Sequence, residues 1–177
     1  VPELQRLRAD HAPALLAFER ENRAWFAASV PDRGDDWFAH FDEQLHARLA
    51  EQEAGICHFH VLAGADGEVL GRVNLVDVDR GVADLGYRIA ERAAGQGLAT
   101  RAVREVCALA AGAYGLTALR AATTVGNTAS RTVLARTGFV RTGGTRLGGQ
   151  EGLTFRRDLG DLRGTGGDPH GPTVHRP

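Results

Sequence analysis

The sequence predicts an α/β (α+β) fold, a mixed and mostly antiparallel sheet of about six to seven strands with helices on both faces. Three observations predict it. Segments with period-two alternation and segments with helical spacing follow one another in the order β-α-α-β-β-β-α-β-α-β-β. The middle strands are joined by short turns, Gly64-Ala65-Asp66-Gly67 and Asp79-Arg80-Gly81, and so run antiparallel. A helix then separates the strands expected over 82–90 and 119–125, the connection that a parallel pair requires.

The length of 177 residues corresponds to one domain, and 43% hydrophobic residues are enough for a sizeable core. The net charge of −1 gives no general attraction to nucleic acid or anionic lipid, so neither is expected as a partner. With no apolar run of membrane-spanning length and no signal-peptide pattern, a soluble cytoplasmic protein is expected. All 21 basic residues are arginine. Without lysine there is no Schiff-base chemistry, which excludes pyridoxal phosphate enzymes and lysine-dependent aldolases. Cys57 and Cys107 have no partner spacing and read as small buried apolar residues.

Residues 4–8 alternate and read as a first strand. Asp10 can cap the next element, and Pro13 suits a first helical turn. Residues 14–26 then carry Leu15, Leu16, Phe18, Ala24 and Trp25 as a helix, which Val30-Pro31 ends. A second helix is expected over 35–53, with Trp37, Phe38, Phe41, Leu45 and Leu49 on one core-facing side. The segment between these two helices is a candidate wall of a substrate pocket. Gly55 stops the second helix, and strands follow over 56–63, 68–78 and 82–90. His58 and His60 stand two apart on one strand face. Two ligands are too few for a metal site, and no metal is expected; a pair of partly exposed structural histidines is the simpler reading.

A strongly amphipathic helix is expected over 98–114, burying Leu98, Ala102, Val106, Leu109, Ala110 and Ala113 and exposing Arg101, Arg104 and Glu105. Gly115 ends it. A strand over 119–125 and a short helix over 128–136 follow, with Gly138 as its left-handed stop. Two last strands, 139–146 and 153–158, flank a turn over 148–152. From 160 to 177 the chain is rich in Gly, Pro and His with few apolar residues, so a flexible tail is expected after a domain over 1–159.

The chemistry starts at Arg92-Ala93-Ala94-Gly95-Gln96-Gly97-Leu98-Ala99-Thr100, between the strand at 82–90 and the amphipathic helix. The first N–H groups of a helix have no intrahelical partner, and the helix dipole adds positive charge, so such a turn binds anions. Gly95 and Gly97 put no side chain between ligand and backbone. A dinucleotide fingerprint needs a third glycine where Thr100 stands, and a Walker loop needs a lysine. What remains is R-x-x-G-x-G followed by a small residue. Here the chain resembles the GNAT superfamily of acetyl-CoA-dependent N-acetyltransferases, in which this loop grips the pyrophosphate of coenzyme A. The resemblance covers residues 1–159. It implies acetyl-CoA as the cofactor, with contacts from Arg88, Ile89, Ala90, Arg92, Gly95, Gln96, Gly97, Leu98, Ala99, Thr100, Asn127 and Ser130.

A second stretch, Asn127 to Phe139, matches the GNAT pattern at Asn127, Ser130 and Gly138-Phe139, with Leu134 where a proton-donating tyrosine is usual. The RimJ/RimL-type branch, which acetylates N-termini of ribosomal proteins, has this leucine. The resemblance to it implies that Ser130 serves the coenzyme A sulfur. Ala83-Asp84-Leu85-Gly86-Tyr87 and Asn22-Arg23-Ala24-Trp25-Phe26 are similar to two further stretches of that branch. Asp84 stands where several members keep a glutamate base; Glu151 and water are the alternatives, and a solvated strand residue is the plain reading of Asp84. Ser130 can equally bond its own helix backbone, and Asn127 can be an N-cap. Direct transfer to a protein or peptide N-terminal α-amine is the activity implied. A small amine such as an antibiotic or polyamine, or a non-catalytic acyl-CoA-binding module, are the rivals. Members of the superfamily often form homodimers.

Overall fold

The computed structural model describes residues 1–163 of the 177-residue chain. Its strands are β1 (Glu3–Arg6), β2 (His58–Ala63), β3 (Val69–Asp79), β4 (Val82–Ile89), β5 (Ala118–Thr124), β6 (Val140–Leu147) and β7 (Gln150–Asp158). They form one seven-stranded sheet in the order β1-β2-β3-β4-β5-β7-β6, and β4 with β5 is the parallel pair. The sheet class, the mostly antiparallel pairing and the single parallel junction are those read from the sequence. The helices are α1 (Ala12–Glu21), α2 (Arg23–Ala27), α3 (Asp35–Ala39), α4 (Phe41–Glu53), α5 (Leu98–Ala111) and α6 (Thr128–Arg136). None of the described helices is long and apolar enough to cross a membrane.

Strand alternation divides the core between the two faces. Val73, Leu75, Ala83 and Leu85 pack against Ala102, Val103 and Val106 of α5 and Leu134 of α6. On the other face Phe59, Val61 and Val69 pack against Leu15, Phe18 and Leu45 of α1 and α4. Cys57 and Cys107 are buried, one in each cluster.

Several elements depart from the sequence reading. The helix expected over 14–26 breaks at Asn22, whose side chain donates to the Phe18 carbonyl and accepts from the Glu91 N–H. Those bonds tie the break to the start of the glycine loop. The helix expected over 35–53 breaks at His40, between α3 and α4. In α5 the buried stripe includes Val103, Cys107 and Ala111, while Ala113 is exposed beyond the helix end. The last hairpin turns on Gly148-Gly149, at φ 56° and 81°, a two-residue loop that leaves Gln150 and Glu151 in β7 rather than in the turn. Packing continues a little past 159: Leu162 meets the core, and Arg163 donates to the carbonyls of Gly115 and Leu116. The tail expected over 160–177 lies outside the described residues from 164 onward.

His58 and His60 are buried rather than partly exposed. Tyr114 is the reason. It leaves the end of α5, stacks on His58 with ring centroids 3.7 Å apart, and hydrogen-bonds Nε2 of His60. Nδ1 of His60 faces the Val73 carbonyl, so Nδ1 carries the proton and Nε2 accepts from the tyrosine. Burial pushes the His60 pKa down to about 4. The unfolded histidine titrates near 6.5, so stability is fully present above that pH and falls as the pH drops toward 4. The expected loss is about 3 kcal/mol, measured by urea unfolding across that range. A His60→Gln variant is expected to flatten the slope.

Candidate active site

Parallel pairing between β4 and β5 covers Val82 with Ala118, Ala83 with Leu119 and Asp84 with Arg120, then stops. β4 stays on β3 as far as Ile89, and β5 stays on β7 as far as Thr124. The two strands part, leaving a wedge between 85–89 and 121–124. The edge of β4 facing the wedge has backbone N–H and C=O groups without strand partners. Trp25 donates its indole N–H to the Ile89 carbonyl at 3.2 Å, tying α2 to this strand end.

The glycine loop closes the C-terminal end of β4. Gly95 and Gly97 have φ of 75° and 76°, and Gly97 is the N-cap of α5. A Cβ at either position would meet nothing within 4 Å, so the space directly before the two glycines is open. Among the described residues, the backbone N–H groups of Gly95, Gln96, Gly97, Leu98, Ala99 and Thr100 donate to no protein acceptor. Six successive free amides at a helix N-terminus, without a blocking side chain at the two glycines, fit the pyrophosphate of coenzyme A. Arg92 is exposed beside them, its carbonyl accepting from the Gln96 side chain. Ala90 is buried, its N–H on the Leu70 carbonyl.

α6 supplies the opposite wall. Asn127 caps it by accepting the Ser130 N–H at 3.1 Å. The Ser130 hydroxyl accepts from Tyr87 Oη at 3.2 Å. Burial raises the Tyr87 pKa, partly offset by that hydrogen bond, so the phenol keeps its proton. The sequence singles out Ser130 and, for the oxyanion, the backbone N–H groups of Tyr87 to Ala90, but gives the Tyr87 side chain no role. The signal was the Gly-Tyr ending of 83–87 together with the parity of β4, which puts Tyr87 on the same face as Ala83 and Leu85, the α5 and α6 side.

Asp84 and Arg88 share the other face of β4. Asp84 accepts from Arg120 Nε at 2.8 Å and is not brought to Ser130. Glu151 lies exposed at the start of β7, opposite Arg146. The Arg88 guanidinium turns to Glu19 of α1 at 3.2 Å and lies over the Phe26 ring, so only its backbone is left to face the wedge.

Glu19 is a residue whose importance the sequence did not show. It is 1% exposed and accepts from Arg72 at 2.8 Å, from Arg33 at 3.1 and 3.2 Å, and from Arg88. Burial pushes its carboxyl pKa up, but the charges of Arg72 and Arg33 outweigh that and hold it below the ordinary value. Arg72 is itself buried, and desolvation lowers its pKa.

The chain matches the family model described as Acetyltransferase (GNAT) domain over residues 3–140. No curated protein matches its sequence. Among solved structures it is similar to the ribosomal-protein-S5-alanine acetyltransferase from Vibrio fischeri, at 19% identity and a TM-score of 0.85, covering 92% of this chain and 98% of that one. Mycobacterium smegmatis RimJ in complex with CoA-disulfide is similar at 24% identity and a TM-score of 0.80, over 90% of this chain and 82% of that one. A variant of spermidine N-acetyltransferase SpeG from Vibrio cholerae is similar at 16% identity and a TM-score of 0.69, over 90% and 96%. These structures share the fold, and the family match spans most of the sequence, so the chain belongs to the GNAT acetyltransferase family.

Proposed function

We propose that this protein is an acetyl-CoA-dependent N-acetyltransferase acting on a protein or peptide N-terminal α-amine. The observation that carries the reading is the wedge between β4 and β5, with six free loop amides at its mouth and the Ser130–Tyr87 pair on its wall. When bound, acetyl-CoA supplies an acyl group activated as a thioester. The residues from Gly95 to Thr100 hold its pyrophosphate with backbone N–H groups. The unpaired edge of 85–89 donates N–H groups to the oxygen that becomes negative as the amine attacks. The Ser130 hydroxyl donates to the departing sulfur, and Tyr87, donating to Ser130 in turn, makes that hydroxyl a better donor. Asp84 stands on the α1 side of β4 with its carboxylate already on Arg120; it takes the ammonium proton through solvent rather than by contact. The N-terminal acceptor is favoured by the likeness to RimJ and the ribosomal-protein acetyltransferase.

Ser130→Ala is expected to lower kcat by about 10- to 100-fold while acetyl-CoA affinity changes only a few-fold. Tyr87→Phe is expected to give a smaller loss in the same direction, and Asp84→Asn a few-fold fall in kcat/KM. Steady-state thiol release with a panel of N-terminal peptides measures all three. An unchanged kcat in Ser130→Ala would remove the serine from the mechanism. Coenzyme A binding without turnover over a broad amine panel would make the protein a binding module instead.

A further inference from the structure

Three guanidiniums converge on Glu19, and this leaves a positive excess under the α1 side of β4. Glu19, Arg23, Phe26, Asp32, Arg33 and Arg88 line a narrow cleft there. Its two carboxylates are both engaged: Glu19 by three arginines, and Asp32 by Arg23 at 2.7 Å. Arg88 spends one N–H on Glu19, and its remaining donors bond to no described residue. Its side chain is 21% exposed, and that of Arg33 is 25% exposed, so both present charge to the cleft they line. Arg88 follows Tyr87, which touches Ser130 on the opposite face of the strand. The cleft therefore lies on one face of β4 and Ser130 on the other, one residue apart along the wedge.

Resting on the acetyltransferase reading, we propose that the acceptor carries a carboxylate close to its amine, and that Arg88, with Arg33 beside it, receives this carboxylate in the cleft. A guanidinium with unspent parallel donors is suited to a carboxylate fork, and partial burial strengthens the contact. Arg23 is shared between Asp32 and the exposed Asp35, at 2.7 and 2.8 Å, so the carboxylates at the cleft are already held by guanidiniums and leave none free for an extra ammonium. The carboxylate has two chemical sources: an acidic side chain next to a peptide N-terminus, or the α-carboxylate of a free amino acid.

The test compares peptide amides that begin Ala-Asp or Ala-Glu with the isosteres Ala-Asn or Ala-Gln, free alanine and glutamate, and spermidine. Acetyl transfer is one readout. Calorimetric binding of the N-acetylated peptides to protein saturated with coenzyme A is the other, and it needs no turnover. The acidic peptides are expected to exceed their amide isosteres by about tenfold or more in both, with the margin narrowing in high salt. Turnover of free amino acids ahead of peptides would assign the carboxylate to the second source. Arg88→Gln is expected to bring the preference within about twofold, and Arg88→Lys to keep part of it. Equal binding of acidic and amide peptides, spermidine as the best substrate, or a preference that survives Arg88→Gln would overturn the proposal. Should Arg88→Gln fail to fold, the wild-type binding comparison and Arg88→Lys decide it. Preferential acidic binding with no turnover of any amine would instead overturn the enzymatic reading and leave the carboxylate site standing.

Discussion

Glu19→Ala is expected to destabilise the fold by about 3–5 kcal/mol, measured by urea or thermal unfolding. Glu19 is 1% exposed, and the Arg72 side chain that meets it is 7% exposed. Removing the carboxylate leaves the Arg72 charge buried without its partner and deprives Arg33 and Arg88 of theirs. The loss is a large share of the stability of an ordinary domain, about 5–15 kcal/mol. Glu19→Gln keeps the volume and is still expected to lose most of it, because an amide does not compensate guanidinium charge. The same carboxylate gives an acid limit. Its folded pKa lies below the ordinary 4.5, so the contribution is present above 4.5 and is lost as the pH falls through the folded value. His60 acts earlier, between 6.5 and about 4, so its loss on acidification precedes that of Glu19. A change under about 1 kcal/mol in Glu19→Ala would mean that the arginines reach water and that the cluster is not a buried one.

Gly97→Val is expected to weaken acetyl-CoA binding by about 100-fold or more while the protein stays folded. Gly97 holds φ of 76° as the N-cap of α5, a conformation that a β-branched residue adopts only with strain of about 1–3 kcal/mol. The space before it is open, and a Cβ there meets no protein atom within 4 Å. Its methyl groups are expected to obstruct the free amides to which the proposed site brings the pyrophosphate. Far-UV circular dichroism separates the two effects, since loss of α5 would mean that the fold rather than the ligand cradle failed. Tight binding retained by folded Gly97→Val would remove the loop from the cofactor site.

Local pattern accounts for much of what the sequence disclosed. The helix expected over 128–136 is α6, and Asn127 caps it as its side-chain chemistry requires. The strand, the two glycines and the amphipathic helix that follow in the middle of the chain stand next to one another, so their order alone points to the proposed anion site. The rest depends on contacts between distant residues. Tyr87 meets Ser130 only because α6 returns beside β4, 43 positions later. Glu19 sits in an amphipathic pattern where an acid normally faces water, and only the return of β3 and β4 beneath α1 brings Arg72 and Arg88 to it. The breaks at Asn22 and His40 are equally invisible to helical periodicity. Asn22 breaks the helix at a contact with Glu91, a residue on the other side of the sheet-to-loop junction.

Titrating acetyl-CoA into the purified protein by calorimetry tests the central claim most directly. Saturable binding is the expected result, because the glycine loop offers its free amides and the wedge beside it is open to a ligand. No binding in correctly folded protein would contradict the cofactor assignment and, with it, the proposed acetyl transfer.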